Sequence, residues 1–256
     1  MISALVLKPQ VLPKKIHIKK LGYVCPDGTI TFQNVRSAHK YAKSVVVKAL
    51  NQENPFERLV MLKGRHVIKQ IDGNGKEVRT KLDQATILCD TIVHGHPDLL
   101  GKGVTSSFSE NDVRALFSNP YDMIRTIKVY NSAGEVSTMR KLGVSIGKAM
   151  GFSGESINVV MEKNEKALKI INEVSKDFYD IGARILEKIA KDNAFVEKFV
   201  VGLSQDHIVE DMSTKIGIYA NHLEMKKLAQ KLKVIYKTTF SNLNKKNIAP
   251  FKEFMS

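Results

Sequence analysis

The sequence predicts an α/β chain of the α+β type: a mixed β-sheet core with flanking helices, followed by an α-helical C-terminal region. Three observations predict it. Short apolar runs bounded by turn residues, among them "FERLVML", "RHVIKQI" and "ATILCDTIV", recur up to about residue 142 and read as strands. From about Ser156 onward the apolar period lengthens. Ile157, Val160, Met161, Leu168, Ile171, Val174, Phe178 and Ile181 recur at three- and four-residue spacing, as on a helix. Between the two textures lies "GVSIGKAMGFSGES", residues 143–156, whose glycines and serines mark a junction.

The elements follow in order. "YVCPDGTITFQN" reads as strand, turn and strand, with Asp27-Gly28 at the turn. "SAHKYAKSVVVKALNQ" reads as a helix with Ser37 as N-cap, and it stops before Pro55, which disfavours a helical Asn54. "FERLVML" and "RHVIKQI" are strands, and "DGNGKEVRTKL" is a hairpin turn with a return strand. "ATILCDTIVH" is one more buried strand. "SENDVRALFSN" opens like a helix, with Ser109 as N-cap and acids in the first turn. "MIRTIKVYNSAGEVSTMRKL" is a hairpin with its turn at residues 131–134. Past the junction, "AFVEKFVVGL" and "TKIGIYANHLEMKKLAQKLKVIYKTT" read as further amphipathic helices.

Composition narrows the function classes. With 256 residues and 43% apolar content, the chain can bury a real core, which excludes wholesale disorder. Two cysteines, Cys25 and Cys89, supply neither a disulfide framework nor a cysteine zinc motif. No segment reaches the roughly 18 apolar residues that span a bilayer. The opening "MISALVLKPQVLPKK" lacks the order of a signal peptide, because its lysines follow the short apolar run. The expected location is the cytoplasm, or a host cell entered as a secreted effector. The net charge of +14 is uneven: residues 1–50 hold nine Lys/Arg against one Asp, and residues 226–246 hold seven Lys and no acid. Such ends can attract nucleic acid or anionic membrane, although no aromatic residues interleave with the basic ones as in a nucleic-acid groove.

The chemistry gathers in residues 92–113, "IVHGHPDLLGKGVTSSFSENDV". His94 and His96 leave the end of a buried strand at i and i+2, so both side chains point to one face. Asp112 could add a carboxylate from the start of the next helix. Two imidazoles, a carboxylate and a water form a recognised catalytic zinc set. A metal hydrolase also needs a proton acceptor. Asp98 and Glu110 lie in the loop, but Glu57 is the better candidate, a charged residue at the start of the first apolar strand. Ser109, near a helix N-terminus, could hydrogen-bond an oxyanion.

These residues carry a family resemblance. "HGHP…SEND" resembles the JAMM motif, His-x-His-Pro, spacer, Ser-x-x-Asp, of the JAB/MPN metallopeptidases, and "NPFERLVMLKG" is similar to that family's Pro-x-Glu segment. The resemblance covers roughly residues 36–142. It implies the JAB/MPN-like, cytidine-deaminase-like fold. It makes His94, His96 and Asp112 ligands of one zinc ion per chain, Glu57 the general acid/base and Ser109 the oxyanion stabiliser. The spacer "DLLGKGVTSSF", residues 98–108, is a few residues longer than in many members. Ser106 would break the Ser-x-x-Asp spacing, so Ser109 is preferred.

The expected organisation is a basic N-terminal extension with a β-hairpin over residues 1–35, a catalytic domain over 36–150 and a helical docking region over 156–256. The expected activity is that of a zinc-dependent metallopeptidase or isopeptidase. Family precedent points to ubiquitin or a ubiquitin-like protein as substrate, possible settings including bacterial effectors and toxins. The rival expectation is a non-catalytic or RadC-like basic module that binds nucleic acid or another anionic partner. His17, His39, His66, His207 and His222 are scattered and read as core or surface residues. "DGNGK" lacks the spacing of a phosphate loop.

Overall fold

The computed structural model describes residues 23–24, 28–73, 78, 83–98, 105–191 and 208–245. Its elements in chain order are β1 (Tyr23–Val24), β2 (Ile30–Thr31), α1 (Val35–Leu50), β3 (Arg58–Lys63), β4 (His66–Asp72), α2 (Gln84–Leu88), β5 (Thr91–Gly95), α3 (Glu110–Ser118), β6 (Thr126–Tyr130), β7 (Val136–Lys141), α4 (Ile146–Ala149), α5 (Gly154–Lys191), α6 (Ile208–Lys231) and β8 (Val234–Thr238). A short 3-10 turn follows at Ser241–Leu243. Among the described residues the strands form one sheet in the order β1-β2-β4-β3-β5-β6-β7-β8. Only the β5–β6 pairing is parallel; the others are antiparallel. This is a mixed sheet with helices on its faces and a helical region toward the C-terminus.

The two faces are buried by different helices. On one, Ala38, Ala42, Val46 and Leu50 recur every four residues along α1 and pack on Val60, Leu62, Val67 and Val93. Three of the four are small or β-branched, so α1 lies close to the sheet. On the other, Leu59, Met61, Ile92, Ile127 and Met139 of the sheet meet Val113, Leu116 and Phe117 of α3, Ile171, Val174 and Phe178 of α5, and Ile216, Met225 and Leu228 of α6. Each fully buried aliphatic or aromatic side chain in this cluster contributes about 1.5–3 kcal/mol. The larger core therefore runs without a break from the sheet into the C-terminal helices.

Several local readings need correction. Helix α1 begins at Val35, and its N-cap is Asn34, not Ser37; the Ser37 backbone N–H donates to Asn34 Oδ1 at 2.9 Å. The run "ATILCDTIVH" is not one strand. Residues 84–88 form α2, capped by Asp83, whose Oδ1 accepts from the Thr86 N–H at 2.9 Å; the strand begins only at Thr91. The stretch read as one long helix to about residue 239 ends at Lys231 and returns as β8, the strand that covers the outer edge of β7. The hairpin at residues 131–134 is as expected, with Gly134 N–H donating to Asn131 O at 2.9 Å. The return strand after residue 73 and the helix "AFVEKFVVGL" fall outside the described residues.

The α3–β6 connection turns around a buried charge. Asp122 adopts a φ of 53°, which Asp and Asn tolerate better than other side chains. Its carboxylate, 1% exposed, pairs with Lys141 and lies 3.2 Å from both Arg125 and Lys163. Lys141 Nζ also donates to Leu116 O at 2.7 Å. Burial by itself would raise the Asp122 carboxyl, but Lys141 and Lys163 outweigh it and hold it below its ordinary 3.8. Burial pushes the Lys141 ammonium down to about 8.

Asp122→Asn retains the turn and removes the charge, leaving Lys141 buried with no anion. It is expected to destabilise the fold by about 3–5 kcal/mol in urea unfolding at pH 7. A carboxyl lowered by folding contributes stability that is present above 3.8 and is lost as pH falls through the folded value. The wild-type advantage over the variant should therefore shrink as the pH is lowered from 5 toward about 2. An equal difference at both ends of that range would contradict the assignment.

Candidate metal centre

The parallel β5–β6 pair fixes where the site lies. Between two adjacent parallel strands the chain must cross back, and α3 makes that crossing. Its N-terminus therefore returns to the end of β5 at which His94 and His96 emerge. His96 lies one residue beyond the strand, yet its backbone N–H still donates to Tyr130 O at 2.9 Å. On the other side, β3 runs antiparallel to β5 with Val60 opposite Val93 and Met61 opposite Ile92. Continuing this register toward the start of β3 sets Leu59 opposite His94 and Glu57 opposite His96. Residues directly opposed across a ladder share a face, so Glu57, His94 and His96 belong to the face covered by α3.

Three donors converge there. His94 Nε2 lies 3.2 Å from His96 Nε2, 3.0 Å separates His94 Nε2 from Asp112 Oδ1, and 3.4 Å separates His96 Nε2 from Asp112 Oδ2. The ligand atoms of these residues form a cluster that could hold a metal ion. A tetrahedral centre with bonds of 2.0–2.1 Å spaces its donors about 3.3 Å apart. The 3.2 Å between the imidazole nitrogens matches that edge, and each nitrogen faces one oxygen of the Asp112 carboxylate, so the donor set fits such an ion. His94 is 3% and His96 9% exposed, which removes both rings from competing water.

Two of the three donors, Asp112 and His96, are held from behind. Ser109 is the N-cap of α3 and forms a reciprocal capping box with Asp112. Asp112 N–H donates to Ser109 Oγ at 3.2 Å, while Ser109 N–H and Oγ–H donate to Asp112 Oδ2 at 2.7 and 2.8 Å. These bonds occupy Oδ2 and leave Oδ1 toward His94. His96 Nδ1 lies 3.3 Å from both the carbonyl and the hydroxyl oxygen of Ser106. The carbonyl can only accept, so it favours a proton on Nδ1 and leaves the Nε2 lone pair available. Burial works against ionisation of Asp112, but His94 and His96 outweigh it and hold the carboxyl well below the usual carboxylate range. Burial likewise opposes a charge on His96, and Asp112 outweighs it and raises the ring.

Glu57 is 9% exposed. Burial raises its carboxyl above the ordinary 4.5, and the nearby His96 and His94 pull in the other direction. Glu57 is thus within electrostatic reach of all three donors, from the residue just before β3, 37 positions upstream of His94. Ser109 is exposed and adjoins the cluster, with its hydroxyl proton directed at Asp112.

Two contributors escaped the sequence reading. Ser106, set aside because its spacing broke the motif, faces His96 Nδ1. Gly95, between the histidines, faces the opposite side of the sheet. A Cβ there would lie 2.6 Å from Leu50 Cδ1 and 2.8 Å from Val46 Cγ1 of α1. The alternation that directs both histidines to α3 directs residue 95 into α1, and glycine allows that close approach. The signal was present in "HGH", but only the packed position of α1 gives the middle residue its meaning.

Set beside protein-family models, curated proteins and solved structures, the chain matches none. Among the described residues, no helix is long and apolar enough to cross a membrane.

Gly95→Ala forces Leu50 or Val46 aside. It is expected to cost about 1–3 kcal/mol in urea unfolding, as overpacking does. Trimming the obstruction with Leu50→Ala in the same chain should recover part of the loss beyond additivity. Strictly additive effects would show that Gly95 and Leu50 do not press on each other.

Proposed function

We propose that the chain is a zinc-dependent metallopeptidase or isopeptidase of the JAMM type. One observation carries the reading: two histidine nitrogens and a carboxylate converge within 3.4 Å of one another beside a buried glutamate. His94, His96 and Asp112 would hold one zinc ion. Zinc in such a site supplies positive charge that polarises a carbonyl and makes water nucleophilic near neutral pH. Glu57 takes the proton of the attacking water and delivers it to the leaving amine. Its burial suits both halves of that task, because a carboxyl raised toward neutrality can accept a proton and release it again. Ser109 redirects its hydroxyl from Asp112 to the developing oxyanion, while its backbone N–H continues to hold Oδ2.

The family resemblance of "HGHP…SEND" and "NPFERLVMLKG" makes the C-terminal tail of ubiquitin, or of a ubiquitin-like protein, the first substrate to test. It also places effector- and toxin-associated roles among the settings to examine. The uneven basic charge, with seven Lys and no acid in residues 226–246, supports a second reading as a basic module for nucleic acid or another anionic partner.

Purified chain should carry about one zinc by elemental analysis, and His94→Ala should lose it. Glu57→Gln should keep the metal and lose cleavage of a fluorogenic ubiquitin-tail amide and of di-ubiquitins by about 10²–10⁴-fold. A fully active Glu57→Gln chain would remove Glu57 from the mechanism. Zinc-free protein that binds DNA with a steep salt dependence would favour the basic module instead.

A further inference from the structure

The residues that support the candidate centre do not all come from its own strand and helix. Residues 105–109 lead into α3 outside any helix or strand. Ser106 faces His96. Thr105, Ser107 and Phe108 are buried at 0%, 0% and 1% exposure, against elements more than a hundred residues downstream. Asn221 of α6 donates its Nδ2–H to Phe108 O at 2.7 Å. Asn242 of the 3-10 turn donates to Thr105 O at 3.2 Å. The Phe108 ring meets Tyr236 of β8 edge-on, with centroids 6.0 Å apart, and Tyr236 Oη lies 2.8 Å from His222 Nδ1.

The two asparagine bonds grip the backbone on either side of Ser106. Their carbonyl acceptors are main-chain groups that carry no information about side-chain identity, so the bonds fix position alone. If residues 105 and 108 are held, the carbonyl of Ser106 is aimed at His96 Nδ1 and the capping hydroxyl of Ser109 is placed under Asp112. Two of the three donors thereby take their orientation from a segment anchored in the C-terminal elements.

We propose that Asn221 and Asn242 are positioning residues of the metal centre. They act through residues 105–108 on His96 and Asp112, so the C-terminal region is a structural part of the site. The proposal rests on the metal reading given above. It deepens that reading by assigning the C-terminal elements a role beyond docking.

The test measures zinc affinity by chelator competition on the full chain, together with amide hydrogen exchange of the zinc-free protein. Asn221→Ala and Asn242→Ala are compared with Ser175→Ala. That control removes the 2.5 Å bond from Ser175 Oγ to Glu224 Oε1, which ties α5 to α6 without touching residues 105–108. Supporting partners of metal ligands typically contribute 10–100-fold in affinity. Each asparagine variant is expected to weaken zinc by about tenfold, the lower end of that range, and to accelerate exchange in residues 105–112. Ser175→Ala should lose some global stability and keep wild-type affinity. If one asparagine variant fails to fold, the other carries the test. Wild-type zinc affinity and exchange in a folded asparagine variant would overturn the clamp alone. An affinity loss in Ser175→Ala as large as in the asparagine variants would reduce the effect to general destabilisation and overturn it too. A wild-type chain that binds no zinc would overturn the metal reading and the proposal together.

Discussion

The parallel pairing of β5 with β6 is the constraint on which the rest of the arrangement depends. It obliges the chain to cross the sheet once between these strands, and that crossing brings the start of α3 back over the end of β5. The antiparallel neighbour β3 then begins where β5 ends, which brings Glu57 level with His96. Four side chains from three elements meet because of strand direction. No long-range electrostatic attraction is needed to gather them. Strand alternation divides the neighbourhood again, sending the histidines toward α3 and Gly95 toward α1.

Folding and ligation share bonds here. The capping box that starts α3 is the same pair of contacts that orients the Asp112 carboxylate. A helix cap contributes about 1 kcal/mol wherever it occurs; in this position it also holds the carboxylate with Oδ1 toward His94 and Oδ2 toward His96. An ion bound to Asp112 would reinforce a helix N-terminus, and a well-formed helix would present a better ligand, which couples metal affinity to fold stability. The buried Asp122 cluster lies at the other end of the same crossover, where Lys141 of β7 and Lys163 of α5 anchor the turn into β6. Both ends of α3 are thus set by a carboxylate.

Much of this was legible in the sequence, and the failures have physical causes. The histidine pair, Asp112 and Glu57 could be found because their spacing has a strand and helix interpretation that holds locally. The Ser109 cap was legible for the same reason. Asn34 was missed as a cap because "NVRS" offers two capping residues three apart, and only the direction of the bond distinguishes them. The helix α2 was hidden inside an apolar run too short for its period to show. The end of α6 went unseen because the residue with left-handed φ just past it is Lys233, at 53°, where a glycine would have announced the stop. Ser106, Asn221 and Asn242 had no local signature, since their partners are main-chain carbonyls or a ring nitrogen brought near by tertiary packing.

The place of β8 in the sheet has a consequence for how the molecule is made. Its partner strand β7 ends at Lys141, but β8 begins at Val234, so the last ladder joins residues about a hundred positions apart. Such contacts form late, because a long loop must close before they bring any gain. During synthesis from the N-terminus, the outer edge of β7 emerges well before the strand that covers it, and the segment 105–108 emerges before both asparagines that grip it. The nascent chain therefore carries its histidines and its aspartate well before the two asparagines proposed to brace them. The elements that pair with β7 and grip residues 105–108 thus arrive together, well after the strands and helix that carry the donors.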